Sequence, residues 1–137
     1  MSHTVVLQAV LVAIALIEGV RGGLYQVFFP RRSSEWSGRT WDPAYHELAQ
    51  DFGFYNFALA GLLFVAALDP ARYAPLLWVV VALYLVHGAT HLLRHFGIYY
   101  GGGARVPTRP PRLDLKQGAN LLFAAALVGL LLVWSAR

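Results

Sequence analysis

Four long apolar runs fill the chain, and in each the polar residues gather near one end. The first, TVVLQAVLVAIALIEGVRGGLYQVFF, predicts a helix over 4–29, capped by Thr4 and stopped by Pro30. The second begins polar (HELAQD), turns aromatic (FGFYNF) and ends in ALAGLLFVAAL, which predicts a helix over 43–68 opened by Asp42-Pro43. The short turn DPARY leads into a third helix over 74–96, with Pro75 in its permitted first turn. A fourth helix covers 114–134, where Gln117 and Asn120 precede an almost purely apolar stretch. A bilayer core needs about 20 apolar residues in helical form, and each run supplies them. The expected fold is an all-α integral membrane protein, a four-transmembrane-helix bundle forming one domain over 1–137.

Composition narrows the class. Of 137 residues 58% are hydrophobic and only 13% charged, where soluble domains carry about a quarter. The four runs nearly exhaust the chain and leave no room for a separate soluble domain. Cysteine is absent, which excludes disulfides, thiolate metal sites and cysteine nucleophiles. The start MSHTVV has no Lys or Arg, and the first apolar run continues into Glu18 and Arg21, so no cleaved leader is expected.

Charge placement sets an expected orientation. Arg31, Arg32 and Arg39 lie in the first connection, and Arg105, Arg109, Arg112 and Lys116 around the third. Arg72 and Arg137 stand opposite. The positive-inside rule then places 31–44 and 97–113 in the cytoplasm and both termini outside, in an inner (cytoplasmic) membrane. The net charge of +4 belongs beside anionic headgroups and gives no nucleic-acid partner. Trp36 and Trp41 among arginines suit that same headgroup level. The Gly/Pro-rich 97–113 segment is a candidate lid, and the small-residue stripe Ala15, Gly19, Gly23 allows close approach of a neighbouring helix.

The candidate chemistry lies inside the runs. Tyr84 to His95, YLVHGATHLLRH, puts His87 and His91 four apart on one helical face, with Tyr84 a turn earlier. At 1.5 Å per residue, Glu18 lies about 16 Å from the cytoplasmic end of its helix and His87 about 13 Å. Asn56 falls at a similar depth and Asp51 somewhat shallower; His91, Gln117 and Asn120 lie nearer the surface. Ionisable groups at such depth usually face a protein interior. Glu18 and Arg21, three apart, are also able to neutralise each other, and Asn56 and Asn120 to act as interhelical hydrogen-bond glue.

Together these residues predict a polar cavity opening towards the cytoplasm. Glu18, Asp51, His87 and His91 are the expected acid/base groups, with Arg21, Tyr25, Tyr55, Asn56, Tyr84, Gln117 and Asn120 lining the ligand site. A carboxyl group in an apolar cavity serves as general acid and a neighbouring imidazole as base. Lipophilic substrates entering from the membrane, such as isoprenoids, sterols, quinones or epoxides, suit isomerase, cyclase or hydrolase chemistry there. The alternative is a metal- or haem-binding subunit for electron transfer or ion passage, with His87, His91, Glu18 and Asp51 as the mixed N/O ligands. A third reading is a structural anchor subunit. No cofactor is required by the first reading; membrane lipid is the general partner, and a homo-oligomer stays open.

The segment DFGFYNFALAGLLFVAAL, through Gly53, Tyr55, Asn56 and Ala60, resembles the Gly-x-Tyr-Asn-x-x-Leu-Ala segment of small four-helix bacterial membrane proteins of unknown function. It is also similar to the DoxX-like group, and KQGANLLFAAAL is compatible with the last helix of such proteins. The resemblance implies a four-helix membrane fold and brings no activity. The Tyr84–His95 histidine stripe departs from that pattern.

Overall fold

Ser2 starts the first helix by accepting a hydrogen bond from the Val5 amide on its side chain, so α1 opens at His3, one residue ahead of the expected Thr4 cap. A computed structural model describes residues 2–36, 41, 43, 46–98 and 111–136. The 99–110 part of the candidate lid, Arg39, Asp42, Arg105 and Arg109 lie outside the described residues.

All regular structure among the described residues is helical. The first span comprises α1 (His3–Ile17), a π-helical segment (Glu18–Leu24) and α2 (Tyr25–Phe28). The i→i+5 bonding of the middle segment widens the turn where Glu18, Arg21, Gly22 and Gly23 occur, a distortion often found at functional sites. Pro30 does end this span, as expected. It also begins a short helix, α3 (Pro30–Trp36), in the polar first connection. Proline's fixed φ and missing N–H suit a first helical position, so the same residue closes one helix and opens the next.

The remaining spans are α4 (His46–Leu68), α5 (Ala74–His95) and α6 (Pro111–Ser135). The described part of α4 begins at His46, against the expected 43, and that of α6 at Pro111, three residues before Asp114. Gly97, at φ 81°, closes α5: its amide bonds to the Arg94 carbonyl and the Ile98 amide to the Leu93 carbonyl. Four helices, His3–Phe28, His46–Leu68, Ala74–His95 and Arg112–Ser135, are long and apolar enough to cross a membrane.

Packing is uneven along the bundle. At the end that holds the termini and the Asp69–Tyr73 turn, Leu7, Leu11, Ala15, Leu63, Ala66, Leu77, Val80, Val81, Ala125 and Val128 form one buried apolar cluster. His3 and Trp134 stack there, ring centroids 3.8 Å apart. Towards the other end the bundle separates into two helix pairs. The first span packs along α4, and α5 along α6; α4 and α5, although joined by a short turn, barely touch.

Glycines bring each pair together. An added Cβ at Gly23 would meet Phe57 at 2.7 Å, and one at Gly53 would meet Val27 at 2.6 Å. Gly88 and Gly118 allow the same approach between α5 and α6. The expected Ala15-Gly19-Gly23 stripe does face a neighbour, with Gly19 against Ala60, and the π segment adds Gly22 against Asn56.

Candidate functional site

The polar residues lie where the two helix pairs part. On α5, Val80, Tyr84 and His87 follow one stripe at i, i+4, i+7. Val80 is 2% exposed and Tyr84 4%, while His87, one turn further, is exposed. On α4 the matching stripe is Tyr55, Leu59, Leu62 and Ala66. Ala66 is fully buried, Leu62 and Leu59 pack on the core, and Tyr55 is 55% exposed. Both stripes leave the core at the same level. Here α4 and α5 stand apart, and Tyr84, the last buried residue of its stripe, is the floor of the gap between them.

One hydrogen bond spans that floor. The Tyr84 hydroxyl donates to Glu18 Oε1 at 2.9 Å, joining the π segment to α5. Arg21 acts electrostatically on the half-buried Glu18, and the Tyr55 and Tyr84 hydroxyls are within electrostatic range of each other. A carboxyl group within the apolar span thus has a hydrogen-bond donor from another helix.

A second polar pair sits above it. His91, 2% exposed, donates from Nδ1 to Asp114 Oδ1 at 2.9 Å. The two lie one turn beyond the Gly88–Gly118 crossing, His91 three residues after Gly88 and Asp114 four before Gly118. Close backbone approach there is what lets a short aspartate reach the ring. His87 stacks on His91 with ring centroids 4.9 Å apart and planes tilted by 31°.

The other expected residues divide between the two pairs. Asn56 is half-buried and donates to Gln26 Oε1 at 3.5 Å, and Gln50 donates to the Val27 carbonyl at 3.2 Å. Both bonds tie α4 to the first span, the interhelical role foreseen for Asn56. Tyr25 is half-buried against Phe29, centroids 5.7 Å apart. Asp51 is exposed, one turn beyond Tyr55 on the cleft stripe of α4. Gln117 is half-buried and Asn120 exposed.

Of the residues read from sequence, Glu18 has the Tyr84 hydroxyl as a hydrogen-bond partner, and the buried His91 is held by Asp114. Sequence reasoning used Asp114 only to mark a helix start and passed over Gln26. The depth argument that admitted His91 and Gln117 extends to Asp114, which lies one turn before Gln117 on a related face. Among the described residues, no group of three or more His, Cys, Asp or Glu side chains could hold a metal. A groove of about 500 Å³ lined by Leu127, Leu130, Leu131, Val133 and Trp134 lies about 20 Å along α6 from Asp114, so it is separate from this polar cleft.

These features define a helical membrane protein whose embedded polar groups gather where its two helix pairs part. No family model, curated protein or solved structure matches the chain.

Proposed function

We propose that the chain forms an intramembrane pocket, open towards the cytoplasmic side, that binds a lipophilic small molecule and acts on it by His/carboxylate acid–base chemistry. The observation that carries this reading is the Tyr84–Glu18 hydrogen bond at the floor of a cleft, with His87 exposed one turn above. An exposed imidazole one turn from a floor that carries a carboxyl group offers a base and an acid to one bound molecule. Tyr84 keeps Glu18 oriented, and Tyr55 and Asp51 border the opposite wall. The arginines of the first and third connections support a cytoplasmic mouth. The gap between α4 and α5 gives an apolar tail a place beside the polar floor.

The test is the identity of what the protein retains. Wild type and the Glu18→Gln and Tyr84→Phe variants, extracted in mild detergent, would be compared by native mass spectrometry and by analysis of extracted small molecules. A hydrogen bond to a charged group is worth about 1.5–3 kcal/mol, so each variant should lose the retained molecule by roughly tenfold or more. Equal retention of the same bulk lipids by all three would favour an anchor subunit and refute the pocket.

A further inference from the structure

Titratable groups in the cleft form a graded series, and the other half of the bundle lacks one. From the connection end inwards come Asp114 bonded to His91 at 2.9 Å, then His87 stacked on His91 at 4.9 Å, then Tyr84, one turn from His87, bonded to Glu18 at 2.9 Å. Residues three apart on a helix are side-chain neighbours, about 5–6 Å between Cβ atoms, so His87 and Tyr84 adjoin on one face of α5. Beyond Glu18, towards the termini, the buried core among the described residues includes Leu7, Leu11, Ala15, Leu63, Leu77, Val80 and Val81, with Tyr73 packed at its rim and Gln8 half-buried on α1.

We infer that Glu18 exchanges its proton with one side of the membrane only, through a relay of Tyr84 and His87, with His91 and Asp114 holding the His87 ring in place. The exposed His87 ring takes up a proton at the mouth, and the buried His91, held by Asp114 and stacked on His87, positions that ring. His87 passes a proton to the Tyr84 oxygen as the Tyr84 hydroxyl gives its own to Glu18, so each carrier ends as it began. The ring nitrogens suit this traffic because imidazole takes up and releases protons near neutral pH. Arg21 from the same span, Tyr84 from α5 and Tyr55 from α4 are the charged or titratable groups acting on Glu18 or on its partner. The apolar core closes the route on the far side, so the device loads and unloads a proton and does not conduct one across. It uses the site of the proposed function but needs no ligand, so either idea can fail without the other.

The experiment is infrared difference spectroscopy of the whole protein in sealed, oriented vesicles after a rapid pH change on one face. The Glu18 carboxyl band is assigned by its loss in Glu18→Gln. The band should respond to a change at the connection face and not at the terminal face. Positioned proton carriers typically contribute about a hundredfold or more in rate, so His87→Leu should slow the response by about that factor and leave its final amplitude unchanged. His87→Gln, which keeps a polar side chain, serves where leucine disturbs folding and should slow it equally. A response from the terminal face, an unslowed response in either correctly folded variant, or no Glu18 band from about pH 5 to 9 would overturn the relay.

Discussion

Gly118 lies so close to Gly88 that a Cβ at position 118 would stand 2.9 Å from the Gly88 carbonyl oxygen. The obstacle is backbone, which has no rotamer to change. Gly118→Ala should therefore force α5 and α6 apart and cost about 1–3 kcal/mol, the usual range for overpacking. Gly61, with nothing within 4 Å of an added Cβ, is the control. Gly61→Ala should be neutral or stabilising by up to about 1 kcal/mol, through helix propensity alone. Reversible unfolding in mixed detergent measures both, and equal behaviour of the two would refute the tight crossing.

The same crossing holds the His91–Asp114 pair. Asp114→Ala leaves a buried ring donor without its carboxylate and should cost about 1–3 kcal/mol. A double-mutant cycle with His91→Leu should give a coupling of about 0.5–3 kcal/mol, since the two residues share one bond. His95, half-buried and a turn nearer the helix end, should tolerate replacement by leucine with little loss. Strict additivity between positions 91 and 114 would mean that the bond contributes nothing to stability.

The cleft makes a prediction about access. The chain has no cysteine, so single cysteines report without background. At His87 and Tyr55 a small water-soluble thiol reagent should react; at Val80 and Ala66, one or more turns deeper on the same stripes, it should not. If positions 55 and 87 resisted the aqueous reagent but reacted with a lipid-soluble one, the gap between α4 and α5 would be filled by lipid chains and not by water.

Orientation is tested in the same way. With the connection end in the cytoplasm, a cysteine at Ser34 should be protected from a membrane-impermeant reagent in intact cells and one at Ser135 should react. Both should react once the cells are permeabilised. The reverse pattern would move the cleft mouth, and the proton entry with it, to the other side.

How much was legible follows from the kind of signal each feature leaves. Helix lengths come from long-range apolar runs and proline punctuation, which act locally, so the four spans agree closely with sequence. The depth of polar residues is also a one-dimensional quantity: it grouped Glu18, His87 and Asn56 at one level. Partner choice is not one-dimensional. Glu18 bonds to Tyr84 and His91 to Asp114 because of which helices lie side by side, and the hydrophobic pattern is indifferent to that.

Sequence by itself determined that this is a helical membrane protein with its embedded polar groups concentrated at one end. Bilayer thickness and the cost of unpaired charge in hydrocarbon leave few other solutions for such a chain. Tertiary structure alone decided that the bundle divides into two glycine-packed pairs, that a π segment presents Glu18, and that Tyr84 closes the floor of the cleft. Those outcomes depend on backbone-to-backbone approach at Gly23, Gly53, Gly88 and Gly118. A glycine in a sequence marks only where close approach is permitted, and the partner helix decides whether it is used.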